Sequence, residues 1–211
     1  MGLEAETKAP TDRQRTFTEA ARRVQIIEAA IDTIAEVGFA RASLARIGER
    51  IGISKGLIGY HFAGKDDLIK EVVFEIVEQG LAYMQPRIIA EMSTGSGFLQ
   101  AYIESNLAFM RDHRNFMVAI VEIRLGIIAD GTKHLNADID AAVHVLEGHL
   151  ARYQSEGQLR PDFDPRVMAV AIRAVIDAVP RRLVHDPNLD VDKYAAEIAN
   201  MFHLSTSLGA E

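Results

Sequence analysis

Apolar residues recur at helical spacing almost without interruption from residue 18 to the C-terminal region. That single regularity constrains the fold more than any other feature of the sequence. Val24, Ile27, Ile31 and Ile34 form one stripe, and Leu68, Val72, Ile76 and Leu81 a second. Ile139, Val143, Leu146, Leu150 and Tyr153 make a third, and Tyr194, Ile198, Met201 and Phe202 a fourth. The 15 glycines and 6 prolines of the 211 residues are too few to break that periodicity. The expected fold class is therefore all-α, with about nine helices.

Punctuation supplies the boundaries. Residues 1–17 read as a flexible arm. The first helix runs from Thr18 to Val37 and closes at Gly38, a residue suited to a left-handed C-terminal turn. Ser43 and Ser54 each precede a short apolar-periodic segment and read as N-caps. Asp66 and Asp67 open a fourth helix, which Pro86 is expected to kink or end. Ser93 to Gly97 reads as a loop before a fifth helix from Phe98 to Arg111. A sixth spans Asn115 to Ala129, with Gly131 in the loop beyond it, and a seventh spans Ala137 to Glu156. Asp164-Pro165 and Asp190 start the last two. Three regions result: the arm at 1–17, a small helical domain at 18–65, and a larger helical body at 66–211.

The small domain holds two short helices separated by a tight turn, Ser43 to Phe62. Gly48 and Gly52 stand where two helices would have to cross closely. Leu44, Ile47, Ile51, Ile53 and Ile58 would lock the pair, leaving the polar N-terminal end of the second helix outward. That is the layout of a helix-turn-helix, whose second helix enters the major groove. Charge agrees with this. The chain carries a net −7, yet Lys8 to Lys65 holds ten Lys and Arg against six Asp and Glu. A basic N-terminal part on an acidic body is what one phosphate-facing end requires.

The run Gly56-Leu57-Ile58-Gly59-Tyr60-His61-Phe62-Ala63-Gly64-Lys65-Asp66-Asp67-Leu68 resembles the TetR family of one-component regulators, over about Arg22 to Leu81. The resemblance implies that Ser43 and Lys65 touch phosphates, that Tyr60 and His61 hold the DNA backbone, and that Phe62 is a buried anchor. The family often places Tyr two residues before the His; here that position is Gly59, with Tyr60 beside it. Ser54, Lys55, Gly56 and Leu57 lie nearest the bases, Leu57 facing a thymine methyl. Taken singly, a lysine such as Lys65 is more often simply solvated, Tyr60 reads also as a rim packing residue, and a histidine such as His61 is more often structural. Arg13, Arg15, Arg22 and Arg23 read either as minor-groove or backbone contacts or as a solvated tail.

The body reads as a sensor. On the sixth helix, Arg124 shares a stripe with Met117, Ile120, Val121 and Ile127; the other charge there is Glu122. A charge on an apolar face needs a partner, either an internal carboxylate or an anionic or carbonyl-bearing effector. Tyr102, Asn106, Phe109 and Met110 suit either an apolar pocket with few polar anchors or ordinary core. His144 and Glu147 lack a third metal ligand, so no metal and no cofactor is expected. The eighth helix shows two apolar faces, Met168, Ala171, Val175 and Val179 on one and Ala169, Ile172 and Ile176 on the other. Arg166, Arg173, Asp177 and Arg181 form a polar line between them. The resemblance implies a homodimer through the last two long helices.

Together these readings predict a ligand-responsive regulator, a repressor that binds a palindromic double-stranded operator as a dimer and is released by a small-molecule effector. The fourth helix is the expected coupling element. No nucleophile–base arrangement, phosphate loop or zinc-protease motif points to an enzyme, and a helical interaction adaptor is the other alternative. Without cysteine, signal-like segment or membrane-length apolar run, a cytoplasmic location is expected.

Overall fold

The computed structural model describes residues 12–130, 136–186 and 188–208, with side chains described from residue 18 onward except 128–130 and 136–140. Among these residues the chain forms nine α-helices and no strand. They are α1 (Asp12–Val37), α2 (Leu44–Arg50), α3 (Lys55–His61), α4 (Lys65–Glu91) and α5 (Gly95–Asp112). Then come α6 (Arg114–Asp130), α7 (Asn136–Ser155), α8 (Pro165–His185) and α9 (Val191–Thr206). A single 3-10 turn, Phe39–Arg41, joins α1 to α2.

The predicted caps form. The side-chain oxygens of Ser43, Ser54, Asp164 and Asp190 each accept a hydrogen bond from the backbone N–H three residues on. Each supplies an acceptor for an amide that the first helical turn leaves without one. Gly38 closes α1 at φ 84°, as its position predicted. Thr94 caps α5 in the same way, so that helix begins at Gly95, inside the predicted loop. The helix α1 begins at Asp12, inside the segment expected to be an arm.

Helices α1 to α4 enclose a small core around Ile26, Ile31, Ile47, Ile58, Phe62, Leu68 and Val72. In the body, α5 packs along α9 and α4, and α8 lies against α7 and α6. Buried side chains of both regions belong to one continuous core. Two elements cross between them: α4 by its length, and α6 by packing on α1 and the 3-10 turn.

Several expected stripe positions point elsewhere. Val24 is exposed, and Ile26 and Ala30 complete the inner face of α1. Leu81 is 54% exposed, and Gly80 is buried in its stead. A Cβ on Gly80 would lie 3.3 Å from the Phe109 ring, so this is where α5 approaches α4 closely. Met201 is exposed, whereas Ile198 and Phe202 are buried. On α8 the inner face is Ala169, Ile172, Ile176 and Val179; Met168 and Val175 are half-buried and Ala171 exposed. Pro86 does not end α4, which continues to Glu91 without Pro86 supplying an N–H. The Ile139 side chain and Gly131 lie outside the described residues.

Candidate nucleic-acid interface

The two short helices meet as the glycines suggested. A Cβ on Gly48 would stand 2.5 Å from the Ile53 carbonyl oxygen, a distance only a glycine relieves. Gly52 turns the chain at φ 69°. Ile58 and Phe62 then lock α3 inward, with Ile58 fully buried. This orientation leaves Ser54, Lys55 and Gly56 exposed, with Leu57 39% and Tyr60 71% exposed.

Each cap leaves a donor in hand. The hydroxyl oxygens of Ser43 and Ser54 accept from Arg46 N–H and Leu57 N–H, each at 3.2 Å. Their O–H groups remain able to donate to a phosphate or base acceptor. The Tyr60 hydroxyl donates to the Glu19 carboxylate of α1 at 3.2 Å. The half-buried His61 ring stands edge-on to Tyr60, with centroids 5.1 Å apart.

Lys65 is held more firmly than a solvated lysine. Its Nζ donates to the Phe39 carbonyl oxygen at 2.6 Å and lies 4.2 Å from the centroid of the Phe39 ring. The start of α4 is thereby fastened to the 3-10 turn that precedes Ser43.

Arg23, which reads from the sequence either as a DNA contact or as part of a solvated tail, is used by the fold as a strut. Its guanidinium donates to the His61 carbonyl, faces Glu71 at 3.4 Å and covers the Phe62 ring. Arg22 donates to Gln25 on its own helix. The side chains of Arg13 and Arg15 lie outside the described residues. Two exposed arginines were missed. Arg41 and Arg46 flank Ser43, and burial of Ile47 on a two-turn helix could have signalled Arg46 by elimination.

Residues 26–72, covering the C-terminal part of α1, all of α2 and α3 and the start of α4, match the family described as bacterial regulatory proteins, tetR family. The chain carries a tetR-family domain at its N-terminal end. It is similar to the fatty acid metabolism regulator protein of Bacillus subtilis, 25% identical over 170 residues, 80% of this chain and 87% of that one. It is also similar to the transcriptional repressor AcnR of Corynebacterium jeikeium, 27% identical over 166 residues, 78% and 82% of the two chains. The solved FadR of Bacillus subtilis in complex with stearoyl-CoA shares the fold, with a TM-score of 0.73, 22% identity and coverage of 84% and 96%.

In the body, the expected sensing residues divide. Tyr102 and Asn106 of α5 come together on Arg173 of α8, whose guanidinium donates to the Tyr102 hydroxyl at 3.0 Å and to Asn106 Oδ1 at 3.4 Å. Asp177, one turn along α8, accepts from the same guanidinium at 2.5 Å. Burial raises the Tyr102 pKa, and the neighbouring Arg173 charge works against that. Phe109, Met110, Met117 and Ile120 are buried core; the Phe109 ring lies among Tyr83, His113 and Phe116.

Arg124 makes no ion pair with a carboxylate among the described residues, and its buried Nε has no hydrogen-bond partner. The Arg173 Nε is buried in the same condition. Glu122 turns away from Arg124 and accepts the Phe39 N–H at 3.2 Å. His144 is exposed beside Glu147, which Arg166 engages at 3.1 Å. No group of three metal-ligating side chains occurs among the described residues. Among them, too, no helix is long and apolar enough to cross a membrane.

Proposed function

We propose that this chain is a repressor that binds a palindromic operator as a two-fold homodimer and leaves it when a small-molecule effector enters the body. One observation carries the reading. The α3 helix is locked inward by Ile58 and Phe62 while Ser54, Lys55, Gly56 and Leu57 stay open at its N-terminal end. Those four residues would read base edges; Ser43, Tyr60, His61 and Lys65, with Arg41 and Arg46, would set position on the phosphates.

A dimer is favoured by apolar side chains left exposed on α8 and α9, among them Val167, Val170, Met201 and Leu204. Pairing these faces would present two α3 helices about 34–36 Å apart, or a multiple of that, along a duplex. Such a protein works in the cytoplasm, where the chromosome is.

The effector reading rests on buried polarity. Arg173, Tyr102 and Asn106 form a hydrogen-bonded cluster, and the buried Nε atoms of Arg124 and Arg173 still lack acceptors. An amphipathic ligand would place its oxygens there and its chain along Phe109, Met110, Met117 and Ile120. The name of the Bacillus subtilis fatty acid metabolism regulator, and the stearoyl-CoA bound to the solved FadR of Bacillus subtilis, support an acyl ligand.

The test starts with duplexes selected from a random pool by the purified chain. Binding is followed by fluorescence anisotropy, and mass by sedimentation, with and without stearoyl-CoA. Selection of an inverted repeat, a dimeric complex and release by the ligand are the expected results. A selected site without two-fold symmetry, or a monomeric complex, would sink the dimeric reading; binding indifferent to acyl-CoA would remove the acyl effector.

A further inference from the structure

Three bonds and one notch hold Phe39 between the DNA-binding helices and the body. Its N–H donates to Glu122 of α6 at 3.2 Å. Its carbonyl accepts from Lys65 of α4 at 2.6 Å, and the same ammonium lies over its ring. The ring rests against α6 at Gly126, where any Cβ would fall inside the van der Waals envelope of the ring. Gly38 makes the complementary space. It has φ 84°, and a Cβ there would stand 2.9 Å from the Glu122 carboxylate. Two glycines, one on each side, clear the seat that Phe39 occupies.

The seat is connected to the DNA face by short bonds. Ala42 N–H donates to the Gly38 carbonyl at 3.2 Å and Ser43 N–H to the Arg41 carbonyl at 3.1 Å. A turn closed in this way moves as a unit, so the place of Phe39 fixes the place of the Ser43 cap. On the other side, the Phe39 carbonyl and ring hold the first residue of α4.

We propose that Phe39 is a positioning residue for DNA binding: seated in the Glu122–Gly126 notch of α6, it sets where Ser43 and Lys65 meet the phosphates. This rests on the DNA-binding role proposed above for those two residues. It assigns the body's hold on that interface to α6 as well as to α4. Phe39 itself touches no phosphate. It acts by denying Ser43 and Lys65 the freedom that each would otherwise lose on binding.

The experiment compares the unaltered chain with Gly126→Ala, Phe39→Leu and the double variant, using one duplex selected from a random pool by the unaltered chain. Anisotropy is measured over a range of KCl concentrations, and thermal unfolding is followed in parallel. Gly126→Ala pushes the ring out of its seat. The expected weakening is about tenfold, the size of one charge-assisted hydrogen bond. The slope of log K against log salt should shrink by about one, the loss of one phosphate contact. Phe39→Leu should do the same by removing the ring face under Lys65. In the double variant the smaller side chain leaves room for the added methyl, so the two losses should not add.

Unchanged affinity and slope in both single variants overturn the proposal. So does a loss of affinity that follows the melting temperature with the salt slope intact, which is the mark of a merely structural role. If Lys65→Ala and Ser43→Ala both leave the unaltered chain's affinity and slope as they were, the assigned phosphate contacts fail, and the positioning role falls with them.

Discussion

The Arg23 guanidinium lies over the Phe62 ring, 4.4 Å from its centroid, and so braces α1 against the end of the recognition helix. The same group donates to the His61 carbonyl and faces Glu71 on α4. One side chain thus ties three helices at the point where α3 leaves the interface. Arg23→Lys keeps the charge but loses the flat fork that stacks and bonds at once. A loss of about 1–2 kcal/mol in urea unfolding is expected, combining one charged hydrogen bond with a partly exposed cation–ring contact. Hydrogen exchange should quicken in α3 before it does in the body; uniform quickening would mean that Arg23 serves the whole fold.

Glu19 and Tyr60 give a pair of changes with opposite signs. The Glu19 carboxylate accepts from the Tyr60 hydroxyl at the face proposed to meet phosphate. Removing its charge with Glu19→Gln should tighten duplex binding roughly two- to fivefold, the scale of an exposed charge interaction. Tyr60→Phe should weaken binding by a similar factor. Anisotropy at low salt resolves both, and the same sign for both would exclude Tyr60 from the contact.

Gly48→Ala should be among the most damaging single-methyl changes in the DNA-binding domain. The new Cβ would meet backbone, the Ile53 carbonyl, which cannot swing aside as a side chain can. Overpacking of this kind costs about 1–3 kcal/mol. A midpoint shift in urea with an unchanged slope is the expected signature.

Arg173 and Asp177 stabilise as a pair and destabilise singly. Both are largely buried, with 14% and 20% of their side chains exposed. Arg173→Met strands the Asp177 carboxylate, whose loss of a partner costs up to about 3–5 kcal/mol in a fully buried setting and less here. Adding Asp177→Leu should recover most of the stability, but not any effector response that depends on Arg173. Recovery of both would dissociate the cluster from sensing.

His149 gives the body a dependence on pH. Burial, and secondarily the Arg152 charge, hold its pKa below the ordinary value of 6.5; its ring lies 4.6 Å from that of Phe98. The unfolded chain therefore binds the proton more readily than the folded one. Stability from this group is complete above pH 6.5 and declines as pH falls from there through the lower folded pKa. His149→Gln should flatten that part of a stability–pH curve, and an unchanged slope would place the acid sensitivity elsewhere.

Local chemistry was the most legible part of the sequence. Ser43, Ser54, Asp164 and Asp190 predicted four helix starts because a cap is decided within four residues. Gly48 was readable for the same reason, since the crossing it permits lies five residues away. Misplacements arose where partners distant in sequence decide the outcome. Leu81 and Gly80 differ by one position, and only the approach of Phe109 from α5 selects which is buried. Arg23 reads as one more cation in a basic segment until the fold brings His61 and Phe62 beneath it. Arg173 sat in a polar line on α8, and nothing local revealed that Tyr102 and Asn106 would close over it. Arg124 was correctly marked as a charge on an apolar face, but the carboxylate beside it in sequence, Glu122, serves Phe39 instead.

The uninterrupted run of α4 through Pro86 gives the molecule a lever. From Pro86 to Lys65 the helix extends roughly 30 Å at 1.5 Å per residue. Proline removes one rung of the hydrogen-bond ladder, so bending is easiest there. With that arm length, each degree of tilt about Pro86 carries Lys65 sideways by about half an ångström. A repacking of the body too small to alter its outline would still move the Lys65 end, proposed above to meet phosphate, by more than a hydrogen bond tolerates.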